Sequence, residues 1–81
     1  MKESKEVSFC KKVFSSAGRT KSIVILDNSN LTDREKELMI CRFLKGLSLK
    51  ECSELFLLEE DSVNKAQKKT CIKLYNFLTQ S

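Results

Sequence analysis

Eighty-one residues, 41% apolar and 32% charged, describe one small domain with a single core, and a chain this short buries only about 60% of the surface its unfolded form exposes. A deep catalytic cleft is therefore disfavoured, and the complete absence of His removes the commonest general base and the usual partner of Cys in zinc fingers. The net charge is +4 with its basic excess at the two ends: six Lys/Arg against three Asp/Glu over residues 1–30, five against five over 31–58, and four Lys with no acid over 62–81, a distribution that suits a polyanionic partner.

Near the start, Val7, Cys10, Val13 and Phe14 recur every three or four residues and predict a short amphipathic helix, which Ala17-Gly18 would end. Ser22-Ile23-Val24-Ile25-Leu26 is a β-branched run bounded by the turn-type cluster Asp27-Asn28-Ser29-Asn30 and reads as one lone strand. A lone strand either pairs with its copy in a homodimer or lies as an extended arm on the helices. Residues 1–30 are accordingly expected to be an N-terminal arm serving dimerisation or following a groove. Its Lys11, Lys12, Arg19 and Lys21 belong either to that groove-following role or to a solubilising tail.

From Leu31 the signals sharpen. Thr32-Asp33-Arg34-Glu35 fits a capping box, in which the Thr hydroxyl and the Glu carboxylate exchange hydrogen bonds with each other's backbone N–H. The helix it opens is apolar on more than one side, through Leu38, Met39, Ile40, Cys41, Phe43 and Leu44, and is expected to be the central one, ended by Gly46. Ser48-Leu49-Lys50-Glu51 repeats the box before a helix of about two turns whose Cys52, Leu55 and Phe56 are expected to face inward. Glu59-Glu60-Asp61-Ser62 suits the start of another helix, carried by Val63, Ala66, Thr70, Leu74, Phe77 and Leu78 nearly to the C-terminus.

A buried helix, a short helix, a tight turn bracketed by Leu58 and Val63, and a long final helix make the tri-helical helix-turn-helix plan. The expected fold class is all-α: this core over residues 31–81, preceded by the arm with its short helix and lone strand. The final helix would expose Asn64, Lys65, Gln67, Lys68, Lys69 and Lys73, with Ser62 at its head; amides and amines together read base edges and neutralise phosphates. Ser48 and Lys50, at the start of the short helix, would face the nucleic-acid backbone.

The stretch from Leu31 to Leu38, then Gly46-Leu-Ser-Leu-Lys-Glu51, then Ser62-Val63 with Lys73-Leu74 eleven residues later, resembles the DNA-binding domain of LuxR-type response regulators and, equally, region 4 of bacterial sigma factors. The resemblance covers residues 31–74. It implies double-stranded DNA as partner, the last helix in the major groove, a role in transcription regulation, and a bacterial or phage-encoded cytoplasmic protein. A second function it implies is an adapter contacting RNA polymerase or another regulator. The chain departs from the pattern at Glu59, where those families often place Ser or Thr, and the acids Glu59, Glu60 and Asp61 would repel phosphates. No fourth, dimerising helix of the LuxR type is expected after Leu74, and no promoter-melting region is expected within these 81 residues.

Cys10, Cys41, Cys52 and Cys71 form no Cys-x-x-Cys pair, and the last three fall on apolar stripes. They are expected to be small buried hydrophobes in a reducing compartment, with no metal and no cofactor. No nucleophile–base pair or glycine-rich phosphate loop is present, so an enzyme is not expected. No apolar stretch approaches the roughly 20 residues that span a bilayer, and the first residues mix Lys with Glu and hold no apolar run, so neither export nor membrane insertion is expected.

Overall fold

The computed structural model describes residues 4–80; residues 1–3 of the expected arm and residue 81 of the expected DNA-binding domain lie outside the described residues. Four helices follow in order: α1 (Lys5–Asn28), α2 (Asp33–Met39), α3 (Leu49–Phe56) and α4 (Glu60–Thr79), with a π-helical turn (Ile40–Leu44) continuing α2. No strand occurs among the described residues, so the chain is all-helical there. No helix among them is long and apolar enough to cross a membrane.

Helix α1 starts where Ser4 accepts from the Val7 N–H at 3.3 Å, and it buries Val7, Cys10 and Phe14 on one stripe. At Gly18 the backbone leaves helical space, with φ 78° and ψ 176°. A Cβ at Gly18 would meet nothing within 4 Å, so the positive φ, not lack of space, demands glycine. The expected helix end is therefore a break, and the chain resumes as helix through the segment read as a strand. Ser22–Leu26 is helical because Ser22 and Leu26, four apart, both turn into the core while Ile23 and Val24 face out. Packing of that stripe overrides the weak β preference of the Ile-Val-Ile run. The turn-type cluster after it ends the helix with side chains: Asn28 Nδ2 donates to the Val24 carbonyl at 3.0 Å, and Ser29 Oγ to that of Leu26 at 2.7 Å.

The described part of the segment expected as an arm is helical rather than extended, and it packs on the other helices. Val7, Cys10, Phe14 and Leu26 share one apolar cluster with Leu31, Met39, Cys71 and Leu74, so α1 is a wall of the core against α4. The rings of Phe9 and Tyr75 meet edge-to-face at 4.9 Å between α1 and α4, and those of Phe14 and Phe43 lie 5.5 Å apart where α1 meets the π turn. A second cluster of Leu38, Cys41, Cys52 and Val63 joins α2 and the π turn to α3 and α4. The α2 segment is thus central: Met39 serves the first cluster, Leu38 and Cys41 the second. Full burial of one such Leu or Met side chain contributes about 1.5–3 kcal/mol.

Both expected capping boxes form. Glu35 N–H donates to Thr32 Oγ1 at 3.2 Å while Thr32 N–H donates to Glu35 Oε1 at 3.0 Å, and Glu51 and Ser48 do the same at 3.1 and 2.9 Å. Lys45 N–H reaches the Ile40 carbonyl at 2.8 Å, which widens the chain into the π turn before Gly46, at φ 73°, ends it.

Candidate nucleic-acid interface

Helix α3 passes to α4 through three residues, Leu57, Leu58 and Glu59. Leu57 adopts the left-handed conformation at φ 57° and ψ 43°, and Leu58 N–H returns to the Ser53 carbonyl at 2.9 Å. That bond is the Schellman closure, which glycine ordinarily makes possible; here a leucine occupies the left-handed position. Helix α4 then begins on Glu59 with no side-chain cap, and Glu60 and Asp61 stand in its first turn, where acids favour the helix dipole.

The buried side of α4 is Val63, Gln67, Thr70, Cys71 and Leu74. At about 100° per residue these centre on one direction, and Lys65, Lys68, Lys69, Ile72 and Asn76 centre on the opposite one. All five are exposed. Lys65, Lys68 and Lys69 make no ion pair among the described residues. Neither α1 nor α3 covers this side, because both pack on the Cys71 and Val63 faces.

The other expected site residues are placed differently. Gln67 is a correction: it is only 5% exposed, and its Oε1 accepts from Arg42 Nε, whose Nη1 donates to the Leu47 carbonyl at 2.6 Å. It pins α4 to the π turn and to the approach of α3, and cannot reach a base edge. Asn64 is half-buried at the margin of the exposed face. Lys73 is drawn aside, with Nζ 3.0 Å from Glu35 Oε2. Ser48 spends its hydroxyl in the α3 capping box, Lys50 is exposed beside it, and Ser62 is exposed in the first turn of α4. Leu55 and Leu58, expected to anchor the short helix and the turn, are exposed as well.

Arg42, Ile72 and Asn76 are site residues that the motifs alone do not single out. Ile72 and Asn76 follow from counting seven and eleven residues on from Lys65, and the same count puts Gln67 with Val63, Cys71 and Leu74 on the core side. Arg42 leaves no local signal, since its partner lies 25 residues away.

Two electrostatic features border the site. Partial burial pushes the Glu35 carboxyl up, but the Thr32 N–H and the Lys73 amine outweigh it and hold the group below its ordinary value. None of the four cysteines forms a disulfide among the described residues, and each is no more than 1% exposed. Burial raises the Cys41 and Cys52 thiols, whereas the neighbouring Cys71 lowers that of Cys10. No family model, no curated protein and no solved structure matches the chain.

Proposed function

We propose that the protein binds double-stranded DNA as a small transcription regulator, with α3, the turn and α4 acting as a helix-turn-helix and the solvent face of α4 entering the major groove. The observation that carries this reading is the grouping of Lys65, Lys68 and Lys69, exposed and unpaired among the described residues, on one side of a helix whose opposite side is locked into the core. Amines so placed neutralise phosphates, and the exposed Asn76 amide and Ile72 side chain supply a hydrogen-bonding and an apolar contact of the kinds that distinguish base pairs. The face runs from Lys65 to Asn76, roughly 16 Å along the axis. Glu59, Glu60 and Asp61 at the tip of α4 repel phosphates, which sets contact along the middle of the helix rather than at its first turn.

Three neutralised phosphates give a slope of about −2.7 for log affinity against log salt. Fluorescence anisotropy with a mixed-sequence duplex across a salt series is expected to show that slope, and the triple variant Lys65→Ala/Lys68→Ala/Lys69→Ala to lose it. A duplex affinity that ignores salt, or a triple variant that binds like the parent, ends the proposal.

A further inference from the structure

The α3–α4 turn presents apolar surface that the nucleic-acid reading does not use. A recess of about 270 Å³ opens between α2 and the turn, lined mainly by Leu38, Phe56, Leu58, Val63 and Ala66. Beside it Leu55 is exposed, and Leu57 is 90% exposed. The conformation of Leu57 makes this more than a stray surface leucine. Its φ of 57° is one that a side chain with a Cβ disfavours, and the side chain makes no core contact in return. Residues held in such sparsely populated backbone conformations cluster at active sites, ligand clamps and switch regions.

Charge selects the occupant. Residues 54–61 carry four carboxylates, Glu54, Glu59, Glu60 and Asp61, and no basic side chain. All four are exposed and none is ion-paired among the described residues; Arg34 is the one basic residue lining the recess. In a two-fold pairing of this surface with itself, a second copy of this chain would bring its own four carboxylates against these and be repelled. We infer that the recess and the Leu55–Leu57 ridge dock a basic amphipathic helix of a partner protein, whose apolar residues at i, i+4 and i+7 enter the recess while its Lys or Arg residues meet the carboxylates around the turn. The acids that weaken phosphate contact at the tip of α4 thereby gain a role. The inference does not rest on DNA binding, since neither the recess nor the ridge contains Lys65, Lys68, Lys69, Ile72 or Asn76.

The test uses the full chain and a fluorescein-labelled helical peptide of about 16 residues with Leu at i, i+4 and i+7 and Lys elsewhere, beside a twin carrying Glu in place of Lys. The Lys peptide is expected to bind at least about tenfold more tightly than its twin and to shift the amide resonances of Leu38 and of residues 56–63. Leu57→Asn, which suits the left-handed position, is expected to weaken that binding about tenfold without lowering the melting temperature, and Glu54→Lys/Glu60→Lys to weaken it similarly. Equal binding of the two peptides, shifts confined to α1 or to the lysine face, or full binding by the Leu57→Asn variant overturns the inference. Self-association in sedimentation that Leu57→Asn abolishes also overturns it, by giving the surface to a second copy.

Discussion

Replacing Gln67 with Ala separates a core role from a base-reading role. The Gln67 Oε1 accepts from the charged Arg42 guanidinium, which also holds the Leu47 carbonyl at 2.6 Å, so one side chain ties α4 to the chain entering α3. A hydrogen bond to a charged group contributes about 1.5–3 kcal/mol, and the truncation leaves the half-buried Arg42 with one partner fewer. A chain of 81 residues has about 4–12 kcal/mol of stability in all, so the loss is a large share. It corresponds to a fall in melting temperature of roughly 10 to 20 °C by circular dichroism. Duplex affinity, measured well below the new melting temperature, is expected to stay at the parent value. An unchanged melting temperature together with weakened DNA binding would refute the reasoning, because Gln67 would then point outward. A double-mutant cycle with Arg42→Ala isolates the pair, and a coupling near zero would refute it equally.

Two further outcomes follow from the buried thiols and from Glu35. The native protein is expected to show no rapid reaction of any cysteine with a disulfide reagent and to release four thiols on denaturation, since each is at most 1% exposed and burial raises Cys41 and Cys52; a fast native phase contradicts the packing. Glu35, held below its ordinary value, contributes stability that is fully present above the unfolded glutamate pKa and is lost as pH falls through its lower folded value. Lys73→Ala is expected to move the Glu35 carboxyl titration, followed by NMR, toward the ordinary value, and no movement removes the ion pair from solution.

Where structure depends on neighbours within four residues, it is legible in the sequence. Thr32-x-x-Glu35 and Ser48-x-x-Glu51 close their boxes, and Gly18 and Gly46 take the positive φ values that only glycine adopts cheaply. Ser22–Leu26 misleads because its β-branched composition is more conspicuous than its spacing. Ser22 to Leu26 is a helical repeat, but a serine does not read as a core residue until a close helix contact makes it one. Gln67 misleads for a similar reason: an amide reads as surface until Val63, Cys71 and Leu74 are seen to share its side. The Arg42 contact and the left-handed Leu57 depend on how distant segments meet, and no local pattern announces either.

The lysines of α4 are not equivalent, and their neighbours along the helix set the order in which they should matter. Asp61 precedes Lys65 by four residues, the spacing and orientation in which an acid on a helix face lowers the net field of the base that follows it. The two lie about 6 Å apart along the axis, inside a screening length of about 8 Å at physiological salt. Lys73, at the other end, is committed to Glu35. Lys68 and Lys69 lack such a neighbour and hold the full positive potential of the face. Of the single variants, Lys68→Ala and Lys69→Ala should therefore each flatten the salt dependence of duplex binding by nearly the full increment of about 0.9, and Lys65→Ala by less. Asp61→Asn should restore to Lys65 what its acidic neighbour removes, so it ought to steepen the slope rather than leave it fixed. The reverse ranking, with Lys65 dominant, would mean that contact begins at the tip of α4, where the acids would have to face DNA.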